Sequence, residues 1–136
     1  MNNIALIILN YNSSELTKRL AEHLLEFGKE LHIIVVDNCS TDESYRILCD
    51  SFRNTPDVDV IKTESNKGYS AGNNFGFKYA INKYGVDTVG VMNPDVWIKD
   101  CSIIENLCEK LHHNDKYAVI GGATLNADGE FYKGAV

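Results

Sequence analysis

Val91-Met92-Asn93-Pro94-Asp95-Val96 is the stretch whose reading decides the fold. The run leading into it, Val86 to Met92 with Asp87, Thr88 and Gly90 interleaved, predicts a strand over 87–92. Proline has no N–H and cannot continue a central ladder, so that strand stops at Asn93-Pro94. Asp95 then stands just beyond its carboxyl end. In open α/β sheets that is where ligands bind. A carboxylate there can hold a divalent cation that bridges phosphates. Asn, Pro and Asp are also turn residues, so the tripeptide by itself reads equally well as a plain turn.

The neighbouring segments decide in favour of a site. Upstream, Glu64-Ser65-Asn66-Lys67-Gly68-Tyr69-Ser70 is a polar loop, and a helix is predicted from about Ala71 to Tyr84, closed by Gly85. Gly72 and Gly76 share one face of it; for Gly76 close helix-to-sheet packing is the expectation. Asn73 and Asn74 are poor interior helix formers beside a turn, which suggests that they face a ligand. Nearer the start, Ile4 to Leu9 is a continuous branched apolar run, the pattern of a strand buried on both faces. It ends in Asn10-Tyr11-Asn12. Asn12 and Glu15 form a candidate capping box. Leu16, Leu20, Leu24 and Phe27 recur at helical spacing before Gly28. A second strand, 33–37, ends in Asp37-Asn38, and Ser40 with Glu43 reads as a second capping box. Tyr45, Leu48, Cys49 and Phe52 mark one face of the helix that follows. Val58, Val60 and Ile61 give a third strand, 58–62.

Downstream, Asp100 or Ser102 can cap a helix carrying Ile103, Ile104, Leu107 and Leu111. Ala118-Val119-Ile120 reads as a short fifth strand, and 124–132 as a hairpin turning on Asp128-Gly129. Strands alternating with helices predict βαβ units. The expectation is a three-layer α/β/α sandwich with a mostly parallel sheet, in one domain spanning 1–136. Three polar clusters, at 10–12, 37–38 and 93–95, then converge on one sheet edge.

Composition narrows the partners. The chain has 136 residues, 44% of them hydrophobic, enough for one core. A net charge of −6 and a pI near 5.1 argue against nucleic acid as a partner. An anionic ligand therefore needs a local device: a helix N-terminus, a lysine or a metal ion. Cys39, Cys49, Cys101 and Cys108 form no CxxC pair, so free thiols in a reducing cytosol are expected. The first apolar run is too short for a signal or membrane segment, which points to the cytoplasm and leaves peripheral attachment to the inner face of a membrane open.

Neither Gly-x-Gly-x-x-Gly nor a Walker loop follows the first strand, which disfavours dinucleotide-dependent oxidoreductases and P-loop ATPases. Four segments in this order carry a resemblance: 7–12 (Ile-Ile-Leu-Asn-Tyr-Asn), 35–42 (Val-Val-Asp-Asn-Cys-Ser-Thr-Asp), 66–74 (Asn-Lys-Gly-Tyr-Ser-Ala-Gly-Asn-Asn) and 92–96 (Met-Asn-Pro-Asp-Val). Residues 4 to about 130 resemble family-two glycosyltransferases, in particular their rhamnosyltransferase-like branch with the GT-A nucleotide-diphospho-sugar transferase fold.

The resemblance implies inverting transfer of a sugar from a nucleotide-diphospho-sugar to a saccharide or lipid-linked acceptor, in polysaccharide or cell-surface glycan synthesis. It implies that Asn10, Tyr11 and Asn12 line the nucleotide pocket and that Asp37, beside Asn38, meets the base. Lys67, Gly68, Gly72 and Asn74 fall near the ribose or diphosphate. Asn93-Pro94-Asp95 takes the place of the family's DXD motif, which makes Asp95 its one metal-binding carboxylate, for Mg2+ or Mn2+. The later loop that resembles the source of the family's general base is not found in these residues. Relative to the family the chain reads as C-terminally truncated, with Asp128 and Glu130 expected at the surface. A non-catalytic nucleotide-sugar-binding module is the alternative.

Overall fold

The computed structural model describes residues 3–28, 31–123, 125 and 128–129. They fall into two compact units, one ending at Trp97 and one starting at Ile98.

The first unit is built on a four-stranded sheet of β1 (Ile4–Asn10), β2 (Leu31–Asp37), β3 (Val58–Lys62) and β4 (Thr88–Met92). All pairings are parallel, in the order β3-β2-β1-β4. β1 is central and almost wholly buried, as its unbroken apolar run requires. Between the strands run α1 (Ser14–Glu26), α2 (Ser44–Phe52) and α3 (Tyr69–Tyr84).

Register and alternation sort the core into two faces. Ile7 lies beside Ile34 and Leu9 beside Val36. This face carries the cluster of Ala5, Ile7, Ile34, Val36, Ala80 and Val86 and is covered by α3. The other face, with Ile8 beside Val35, meets α1 through Leu20, Ala21 and Leu24. α2 packs against α1 and β3. The result is the three-layer α/β/α arrangement.

α3 lies unusually close to the sheet. A Cβ at Gly76 would fall 2.8 Å from Ile7 Cγ2 and 2.9 Å from Val36 Cγ2; one at Gly72 would fall 2.5 Å from Leu9 Cδ1. Close packing thus applies to both glycines, not to Gly76 alone. Gly72 is buried against Leu9 and Asn38.

Both expected capping boxes are absent. α1 begins after Ser13 with no side-chain cap, because Asn12 has φ 51° and turns its amide toward Thr41. α2 begins only at Ser44, whose N–H donates to Asp42 Oδ1 (2.8 Å), because Ser40 is engaged by Asp37.

The second unit contains α4 (Ser102–His112). Its first N–H, from Ser102, donates to Asp100 Oδ1 at 2.9 Å. Beyond it Ala118-Val119-Ile120 forms no strand: Val119 is 86% exposed, and a strand needs a ladder partner that the described residues do not offer it. Most of the expected hairpin 124–132, Glu130 included, lies outside the described residues; Asp128 is exposed.

Candidate functional site

Chain order and sheet order diverge at β1. From β1 the chain steps to β2 and β3 on one side, and β4 then pairs with β1 on the other. The connection after β1 thus leads to β2 on one side while the connection after β3, through α3, crosses to β4 on the other, so the strand order switches between β1 and β4, the position where open α/β sheets form a crevice. An open cleft of about 470 Å³ occupies that position. It is lined by Leu9, Tyr11, Ser13, Leu16, Asn38, Asn66, Tyr69, Asn93, Pro94 and Asp95. A larger hollow of about 610 Å³ lies on the second unit, made by α4 and the residues after it, and has no strand end feeding it.

The cleft floor rests on a buried polar network. Asn10 Nδ2 donates to Asp37 Oδ1 at 2.8 Å, and Thr17 Oγ1 donates to Asn10 Oδ1 at 2.8 Å. Ser40 Oγ donates to Asp37 Oδ1 at 2.6 Å, and Ser40 N–H to Asp37 Oδ2 at 3.0 Å. Asn10, Thr17 and Asp37 are all 0% exposed. Both Asp37 oxygens accept hydrogen bonds from within the protein. The expectation set Asp37 against the base and Asn10 in the pocket; here the two are buried and join the ends of β1 and β2.

Asn12 also works between loops. Its Oδ1 accepts from Thr41 N–H at 2.9 Å and Asp42 N–H at 3.3 Å, while its own N–H donates to Ser40 Oγ at 2.9 Å. It latches the loop after β1 to the loop after β2 and does not line the cleft.

Of the expected residues, the cleft brings together Tyr11, Asn38, Asn93 and Asp95. Asn38 Nδ2 donates to Asn66 Oδ1 at 3.1 Å and to Gly68 O at 3.3 Å, and its Oδ1 accepts from Thr63 Oγ1 at 3.1 Å. Gly68, at φ 93°, is the turn residue before α3, a conformation that favours glycine. Lys67 and Asn74 are exposed but outside the cleft lining. Asn73 is buried, so the reading of it as ligand-facing is corrected.

Asp95 sits at the corner of a tight turn. Val96 N–H donates to Asn93 O at 3.0 Å, with Pro94 leading the corner. Tyr69 Oη donates to Asn93 Oδ1 at 2.9 Å. Leu16, Tyr69 and Asn66 were not singled out from sequence. Leu16 shares the helical spacing of Leu20 and Leu24, yet it is 44% exposed at the cleft. Its place at the first turn of α1, next to a strand end, was the available signal.

Comparison with known proteins agrees with this geometry. Residues 5–135 match the model of glycosyl transferase family 2. The chain belongs to glycosyl transferase family 2. Over 129 residues it is 32% identical to the low-salt glycan biosynthesis hexosyltransferase Agl10 of Haloferax volcanii, covering 95% of this chain and 39% of that one. It is 29% identical over 133 residues to the glycosyltransferase GlyG of Streptococcus pneumoniae, covering 95% of this chain and 42% of the relative. This family 2 chain thus spans about two fifths of the length of these relatives.

Among solved structures, the mannosyltransferase PcManGT of Pyrobaculum calidifontis, in complex with GDP-Man and Mn2+, superposes with a TM-score of 0.70. Identity is 16%, over 91% of this chain and 36% of that one. S. aureus TarS 1–349 gives a TM-score of 0.60 at 23% identity, over 81% of this chain and 33% of that one. The shared fold is the GT-A fold expected from the four motifs.

Proposed function

We propose that residues 1–136 act as one donor-binding domain of a family 2 glycosyltransferase. The domain binds a nucleotide-diphospho-sugar, with a deoxythymidine or uridine diphosphate as first expectation. It serves inverting transfer to a saccharide or lipid-linked acceptor in cell-surface glycan synthesis, in the cytoplasm or at the inner face of a membrane. The rhamnosyltransferase-like branch remains the assignment that the motif sequence favours. Among the described residues no helix is long and apolar enough to cross a membrane.

One observation carries this reading: among the described residues, Asp95 is the only carboxylate lining the cleft where β1 and β4 end. A diphosphate brings about two negative charges to a chain already at −6, and Lys67 offsets only part of them. The described residues hold no cluster of three or more His, Cys, Asp or Glu side chains that could bind a metal ion by themselves. Mg2+ or Mn2+ still fits, because such ions are held by one or two carboxylates plus the phosphates. Asp95 would supply the carboxylate, and Asn93 Oδ1 keeps one lone pair beyond the bond from Tyr69. The ion, when bound, neutralises charge on the diphosphate leaving group. The residues around it hold the donor: Tyr11 and Leu16 offer apolar surface, and Asn38 and Asn66 form a fixed amide pair.

Calorimetry with UDP, dTDP and GDP, each with and without MnCl2, tests the reading. Mutual strengthening of metal and nucleotide is expected, as linkage requires. Nucleotide affinity indifferent to Mn2+ would count against it. A non-catalytic binding module is favoured by one observation: a carboxylate engaged with a cation cannot also take the acceptor's proton, and among the described residues the cleft holds no second acid. Sugar transfer by the 136-residue chain would exclude that alternative.

A further inference from the structure

The corner that carries Asp95 is anchored on both sides. Before it, Asn93 is held by the Tyr69 hydroxyl at the start of α3. After it, the Trp97 indole stacks on the His23 imidazole of α1, with ring centroids 3.7 Å apart and planes inclined by 16°. The Arg19 guanidinium lies 4.9 Å from the centroid of the same indole. His23 is itself braced edge-on by Phe27, at 4.9 Å. Trp97 directly follows the turn closed by Val96 N–H and Asn93 O, and it is the last residue of the first unit.

No regular secondary structure holds residues 93–101. The direction of Asp95 therefore depends on its two anchors rather than on a ladder or helix. The indole remains 54% exposed, so hydrophobic burial alone is a weak reason for its placement. Its ordered contacts are instead a flat ring and a cation, both from α1.

We propose that Trp97 is a positioning residue for Asp95: its stack on His23 and Arg19 fixes the Asn93–Val96 turn so that the carboxylate faces the cleft. This rests on the reading of Asp95 as the cation-holding carboxylate. A metal held by one carboxylate depends strongly on where that carboxylate points, whereas contacts made by Tyr11, Asn38 and Asn66 do not pass through this turn.

The test is calorimetry on the 136-residue chain, using whichever of UDP, dTDP or GDP binds the parent most tightly, with and without MnCl2. Trp97→Ala is expected to cut the Mn2+-dependent gain in nucleotide affinity about fivefold, the scale of one aromatic pair. Metal-free affinity should stay at the parent value, the urea midpoint should fall by no more than the loss of one aromatic pair, and Trp97→Phe should restore the gain. Trp97 is the only tryptophan, so its fluorescence reports the stack directly, and His23→Ala should change that emission and lower the same gain. A full gain in Trp97→Ala, or an equal loss of metal-free affinity, would overturn the proposal. So would failure of both Trp97→Ala and His23→Ala to fold, since the stack would then be a folding element. Asp95→Asn separates the two ideas. If it keeps the gain, the reading of Asp95 falls and this proposal with it. If it loses the gain while Trp97→Ala keeps it, only this proposal falls.

Discussion

Asn10 and Asp37, partners in register at the carboxyl ends of β1 and β2, are joined by a 2.8 Å hydrogen bond with both residues fully buried. The ladder continues past them, with Asn38 N–H on Asn10 O at 2.8 Å and Thr63 N–H on Asp37 O at 3.0 Å. Two central strands thus end together on a polar brace, and the loops that make the cleft start from a fixed base.

Removing one member of this brace leaves buried groups without partners. Asp37→Ala leaves Asn10 Nδ2 only its 3.2 Å bond to Ser40 Oγ and strands the Ser40 N–H, at a cost of about 1–3 kcal/mol. The loss should appear as a lower urea midpoint with an unchanged slope. Thr17→Val strands Asn10 Oδ1 in the same way. Because the two share Asn10, the double variant should cost less than the two losses added. Simple additivity would contradict a connected network.

The helix α3 approaches β-branched side chains that cannot move aside. Gly76→Ala pushes a methyl against Ile7 and Val36, and overpacking of this kind costs about 1–3 kcal/mol. Gly72→Ala meets chiefly the tip of Leu9, a flexible side chain, so its stability cost should be smaller. Leu9 also lines the cleft, so Gly72→Ala should weaken nucleotide binding more than Gly76→Ala does. Thermal unfolding and calorimetry on the pair check this crossed ranking.

At the opposite end of the sheet, Lys83 Nζ contacts both Asp59 oxygens at 2.8 and 2.9 Å, and Tyr84 Oη donates to Asp59 Oδ2 at 2.6 Å. Burial, then the bond to Asp59, raises the Tyr84 phenol above its ordinary value of 10.0, and the bond to Asp59 likewise raises the Lys83 ammonium. A raised folded-state pKa gives stability that is complete below the unfolded value and lost as pH climbs through the folded one. Stability should therefore fall as pH rises above about 10. Urea midpoints at pH 9 and pH 11 should differ more for the parent than for Asp59→Asn. A parallel decline in both would remove Asp59 from the account.

Asp95 is exposed at a turn corner, so Asp95→Asn should leave the urea midpoint unchanged. Its effect belongs to binding: most of the coupling between Mn2+ and the nucleoside diphosphate should disappear. Coupling of parental size in the variant would move the cation elsewhere.

The sequence by itself determined the strands, the parallel sheet and the edge on which function gathers. Ile4–Leu9 and the stop at Asn93-Pro94 carry that information locally, since unbroken branched runs and a missing N–H act on the chain wherever it packs. Residues 58–62 are legible as a strand from the branched residues Val58, Val60 and Ile61. Tertiary structure decided which polar residue faces outward. Asn10, Asp37 and Asn73 look like ligand groups in a list of residues, yet burial and fixed partners make them internal. Side-chain direction at a strand end depends on the neighbouring strand and the helix above it, and no local pattern encodes either. Ser40 became a partner of Asp37 instead of a helix cap because that carboxylate lies within reach only once the loop has folded. Residues 118–120 show the same limit from the other side: an apolar triplet is a strand only when a ladder is beside it.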